Sequence, residues 1–129
     1  MKSERTLIWM KGLFGVCKLP PGDPLPVWIC SDGDFYSVTR TSEELSIICL
    51  QDRIPAGITC ERDWRVFRIS GQLDFNLTGI LFSVLKPLQE QSIPVFTIST
   101  YNTDYILVKE HDCTRAEGSL REFFTIRHE

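Results

Sequence analysis

Two stretches hold residues whose types and spacing could do chemistry. The first is Gly71-Gln72-Leu73-Asp74-Phe75-Asn76-Leu77-Thr78-Gly79, which leads into an apolar-periodic segment. The opening N–H groups of a helix lack internal partners and its dipole favours an anion there, so such a lead-in suits a ligand carboxylate. Gly79, having no side chain, would let that carboxylate come close to the amides. The second stretch is Ser99-Thr100-Tyr101-Asn102-Thr103-Asp104, which offers hydroxyls, an amide and one carboxylate. If the strand starting at Ile93 runs beside the strand starting at Trp64, this turn comes near the helix start. The two could then hold both ends of a zwitterion, with amides on the carboxylate and Asp104 or a carbonyl on the ammonium. An ordinary helix cap and a polar hairpin turn explain the same residues equally well, and Gly79 then serves close helix packing.

Other chemistry-bearing residues read as structural. A nucleophile needs a neighbouring base and a metal needs converging ligands. The chain has two histidines. His128, next to the end, is expected to be frayed, and His111 between Glu110 and Asp112 is expected to be a solvated cap. Glu43-Glu44 and Glu110/Asp112 are carboxylate pairs whose members project in different directions. Gly12-Leu13-Phe14-Gly15 lacks the lysine and helix of a phosphate-binding loop. The five cysteines, Cys17, Cys30, Cys49, Cys60 and Cys113, are odd in number and unpaired in spacing. They read as reduced thiols rather than a disulfide framework or a zinc site. An enzyme using Asp104 or Asp74 as general base would lack a visible group to tune it. No catalytic residue, metal or cofactor is expected.

The elements that must position the two stretches lie mostly after Arg62. Trp64–Ile69 predicts a strand closed by Gly71, and Asn76 is a candidate N-cap for the helix that follows. In that helix Leu77, Ile80, Leu81, Val84, Leu85 and Leu88 form one apolar stripe, with Pro87 expected to bend or loosen the last turn. Ile93–Thr100 and Tyr105–Val108 predict strands, Asp112 to about Arg121 a weaker helix, and Phe123–Ile126 a last strand. Strand, helix, strand, strand, helix, strand is a split βαββαβ order, expected as an antiparallel sheet with both helices on one face. Before Arg62 the chain is richer in prolines and turns. Leu13–Leu19, Phe35–Arg40 and Leu45–Leu50 predict strands, and Val27–Cys30 one helical turn. The expected division is a segment 1–61 and a segment 62–129.

Composition excludes several classes. Hydrophobic residues at 43% and charged residues at 24% fit a globular domain and argue against disorder. A net charge of -3 with both signs interspersed shows no basic face for nucleic acid or anionic lipid. No apolar run nears the about 20 residues that span a bilayer, and the start of the chain is unlike a signal peptide. A cytoplasmic protein is expected, with no nucleic-acid or membrane partner.

Ser92–Thr100, followed by Asp104–Val108, resembles the strand pair that closes the effector site in the ACT domains of aspartate kinases. Phe35–Thr41, Ser83–Leu88, Ser99–Tyr105 and Phe124–Ile126 are similar to the small bacterial ACT-domain proteins related to the animal cytosolic arginine sensors. The resemblance implies an α+β fold of tandem ACT-like (ferredoxin-like βαββαβ) modules, with 1–61 degenerate and 62–129 a full ACT domain. It implies a non-catalytic regulator that binds a small ligand, usually an amino acid, at an interface between modules. A homodimer would match the four modules of the sensors, with output through a separate protein partner. Carried over by motif, the ligand contacts are Asn76, Thr78, Gly79 and Ile80 at the helix start. Thr100, Tyr101, Thr103 and Asp104 follow from the turn, and Ser83 and Val84 from the helix. The sensors place an acidic residue where Asn76 stands, which argues against arginine, although Asp104 keeps one negative group. An ACT-fold interaction module with an inactive pocket is the alternative.

Overall fold

The computed structural model describes residues 5–29, 32–71 and 79–129. Its strands are β1 (Thr6–Trp9), β2 (Phe14–Leu19), β3 (Ser37–Arg40), β4 (Leu45–Leu50), β5 (Thr59–Ile69), β6 (Val95–Ser99), β7 (Asp104–Lys109) and β8 (Thr125–His128). Its α-helices are α1 (Ile80–Glu90) and α2 (Cys113–Leu120), with 3-10 turns at Gln51–Arg53 and Glu110–Asp112. No helix among the described residues is long and apolar enough to cross a membrane.

The chain forms two units, Gly12–Trp64 and Met1–Lys11 with Arg65–Glu129. The division expected at 61/62 therefore shifts. The segment before Gly12 belongs with the C-terminal elements because β1 pairs antiparallel with β5 and parallel with β8. β1 thus lies between the first and last strands of the βαββαβ order, and this unit's strands run β8-β1-β5-β7-β6. The expected all-antiparallel sheet is a mixed one, because β1 and β8 run in the same direction.

In this unit Leu7, Trp9, Phe67, Ile69, Ile106 and Val108 join Val84 and Leu88 of α1 and Ala116 and Leu120 of α2 in one core. From Ile80 onward the expected α1 stripe is observed, with Ile80, Leu81 and Leu85 flanking its buried residues, while Leu77 lies outside the described residues. Ile8, Val66 and Leu107, which alternate with these strand positions, are also buried. Strands buried on both faces read as continuous apolar runs rather than alternations, and β1 is such a run. The last strand lies two residues beyond its expected place.

The unit Gly12–Trp64 orders its strands β3-β4-β2-β5, all antiparallel. Its core gathers Cys17, Ile29, Leu45, Ile47, Cys49 and Ile54. A Cβ on Gly15 would lie 2.4 Å from Ile54 Cδ1 and 2.7 Å from Cys60 Sγ, so glycine lets these side chains cross β2 closely. Opposite Gly15 the β2–β5 register slips, and Asp63 takes a left-handed φ of 68°. Gln51 holds this bulge: its amide oxygen accepts from the Asp63 N–H and its amide nitrogen donates to the Asp63 carboxylate. Val27 and Trp28 form a turn, and Cys30, the last residue of the expected helical turn, lies outside the described residues.

Candidate functional site

The hairpin of β6 and β7 brings the second chemical stretch together. Ser99 and Asp104 are register partners, and the Ser99 hydroxyl donates to Asp104 Oδ1. The Thr100 N–H donates to the Thr103 carbonyl at 2.9 Å, and Thr100 Oγ1 bonds the N–H and carbonyl of the same residue. Thr103 is buried, and its hydroxyl donates to the Ile69 carbonyl at 2.8 Å. That bond fixes the turn to the end of β5, where the chain leaves the sheet through Gly71 with φ 83°. Tyr101 is exposed.

Across residues 72–78, α1 opens on Gly79, whose φ is 83° and which supplies no side-chain cap. The expected cap, Asn76, and its neighbour Thr78 lie outside the described residues, and the observed helix starts four residues after Asn76. Among the described residues nothing lies within 4 Å of a Cβ built on Gly79, and its φ of 83° is the left-handed conformation that glycine adopts without strain. The Ser83 N–H donates to the Gly79 carbonyl at 2.9 Å and the Ser83 hydroxyl to the Ile80 carbonyl at 2.7 Å. Ile80 packs on the core and Val84 is fully buried within it. The Val84 side chain belongs to the stripe that holds α1 on the sheet.

A second polar cluster was missed in the sequence. His128 is not frayed: it ends β8 in register with Trp9, and its Nε2 lies 3.0 Å from Glu117 Oε1. The same oxygen accepts from the Trp9 indole at 2.8 Å. The signal available was the short apolar run Leu7-Ile8-Trp9, which has the length and composition of a buried strand. Among the described residues, no three His, Cys, Asp or Glu side chains converge to hold a metal ion. The described cysteines are free. Burial pushes the Cys60 and Cys113 thiols up to about 11, and bonding to Cys49 together with burial pushes Cys17 higher still. Thiols so shifted are protonated and weakly nucleophilic at neutral pH.

The ACT domain profile matches residues 59–122, from the start of β5 to beyond α2, and a profile of an N-terminal domain matches 12–57. The chain is an ACT-domain protein. Protein Atu0741 from Agobacterium tumefaciens is 34% identical, with a TM-score of 0.91 over 98% of this chain and 95% of that one. The ligand-free regulatory subunit of aspartate kinase from Thermus thermophilus shares the fold alone, at 11% identity and a TM-score of 0.54 over 95% and 98% of the two chains. The human cytosolic arginine sensor for mTORC1 subunit 1 is 30% identical over 106 residues, 74% of this ACT protein and 32% of the sensor. This chain spans less than two thirds of the length of the curated relatives it matches. The ACT domain is therefore the part in which the hairpin turn, the end of β5 and the start of α1 are all found.

Proposed function

We propose that this chain is a non-catalytic, cytoplasmic regulatory protein that binds an amino acid at an interface between ACT modules, formed in a homodimer, and passes the signal to a separate protein. The observation that carries the reading is the turn 99–104, where Asp104 and two threonines are fixed by Thr103 to the strand end that leads toward α1. If the turn and the helix start meet, a carboxylate bonded to Ser99 and the first N–H groups of α1 would offer one group for each charge of a zwitterion. Asn76, Thr78, Gly79, Ile80 and Ser83 would line the helix side, and Thr100, Tyr101, Thr103 and Asp104 the turn side. The kinship with arginine sensors supports an amino acid as the class of ligand. Asn76, which the resemblance sets where the sensors carry an acid, supports one other than arginine.

A thermal-shift screen against the twenty amino acids tests this. A ligand at about 100 times its dissociation constant stabilises the fold by about 2.7 kcal/mol, a rise of several degrees at this size. The expected result is one hit that Asp104→Ala abolishes without changing the fold. The alternative, an interaction module with an inactive pocket, is favoured by the way Ser99, Thr100, Thr103 and Asp104 bond among themselves. No shift with any amino acid, from a well-folded protein, would establish it instead.

A further inference from the structure

Away from the turn, a cavity of about 280 Å³ is lined by Trp9, Arg65, Cys113, Thr114, Glu117 and His128. Four elements, β1, β5, α2 and β8, supply these residues, and Glu117 ties three of the elements together. Its Oε1 accepts from the Trp9 indole and faces His128, while its Oε2 takes two bonds from Arg121, at 2.9 and 3.1 Å. Burial pushes the Glu117 carboxyl up, but the Arg121 bonds and charge, then the Trp9 bond, outweigh it and hold the carboxyl below its ordinary value. Its negative charge is thus held in place and only partly offset within the wall.

Arg65 makes no ion pair among the described residues. Its guanidinium lies 5.7 Å from the centre of the Trp9 ring, and one terminal nitrogen donates to the Met10 carbonyl at 3.2 Å. Its Nε is buried and has no hydrogen-bond partner among the described residues. The guanidinium nevertheless lines the cavity with its positive charge, and an acceptor entering there can take a charge-assisted hydrogen bond from its accessible terminal nitrogen. The Thr114 hydroxyl adds a polar group and the protonated Cys113 thiol a neutral one, while Trp9 provides an apolar wall. The cavity is at the small end of ligand sites, and Glu117 on its wall disfavours a second negative charge.

We propose that this cavity binds a small monocarboxylate, with the carboxylate on the Arg65 guanidinium and a short apolar tail against Trp9 and Cys113. The site stands independently of the amino-acid reading.

The Trp9 indole N–H reports it directly by two-dimensional NMR, since it is held by Glu117 at the cavity wall. Sodium propionate, sodium chloride and inorganic phosphate are titrated at matched ionic strength. The expected result is a saturable shift of the Trp9 signal with propionate alone, weakened about tenfold or more in Arg65→Met. The shift is kept in Asp104→Ala, which separates this site from the turn. The Trp28 and Trp64 signals show whether each variant is folded. If Arg65→Met is not, Arg65→Lys, which keeps the charge and loses the planar fork, decides by a clear weakening. A response equal to that of chloride, an unchanged shift in the folded Arg65 variant, or tighter binding of phosphate would overturn the proposal.

Discussion

Thr103 shows how one side chain can hold a site in place. Its hydroxyl spans from the β6–β7 turn to the Ile69 carbonyl within the core, and both ends of that bond are shielded from water. Thr103→Val keeps the shape and removes the donor, leaving a buried carbonyl without its partner. The expected loss is about 1–3 kcal/mol in urea unfolding, together with faster amide exchange at Thr100 and Asp104, whose turn is no longer anchored. Unchanged exchange in a destabilised protein would mean that the turn holds its form without β5. The residue types at this turn were legible as ligand-holding candidates, but the role of Thr103 was not. A threonine in a polar turn reads as exposed, and its burial depends on a strand end 34 residues earlier.

At the scale of elements, local pattern and distant pairing part company. The stripe of α1, the bounds of β4 and the β6–β7 hairpin follow from periodicity and turn residues within a short window. β1 does not, because its four residues have no alternation, and their place is set by Ile69 and Ile126, which stand opposite Leu7 on its two sides. β5 extends five residues before its expected start, through charged positions and the bulge at Asp63, because only part of its length packs against the core. β1 carries Leu7 and Trp9 into that core and ladders with two strands at once. A truncation that begins at Met10 removes both ladders and exposes β8 along the side that β1 covers. Loss of the cooperative thermal transition is expected, with β8 amides exchanging at rates of an unfolded chain. A truncated protein that keeps β8 protection would show that β8 finds another partner.

At the scale of the whole molecule, the proposed interface site makes a claim that thermal shift cannot test, since any ligand that binds the folded form raises stability by mass action. A ligand shared between two copies must also tighten their association. Linkage makes the coupling reciprocal: counted per ligand bound to the dimer, the factor by which the amino acid lowers the dimer dissociation constant equals the factor by which dimerisation tightens the amino acid. Sedimentation equilibrium across the monomer–dimer range, with and without the amino acid found by screening, measures the first factor. Calorimetric titration above and below the dimer dissociation constant measures the second. Two equal factors of about ten or more, equivalent to about 1.4 kcal/mol of coupling, are expected. Ligand affinity that is the same in monomer and dimer would place the whole site within one chain. The turn 99–104 and the start of α1 would then have to close on the ligand without help from a second copy.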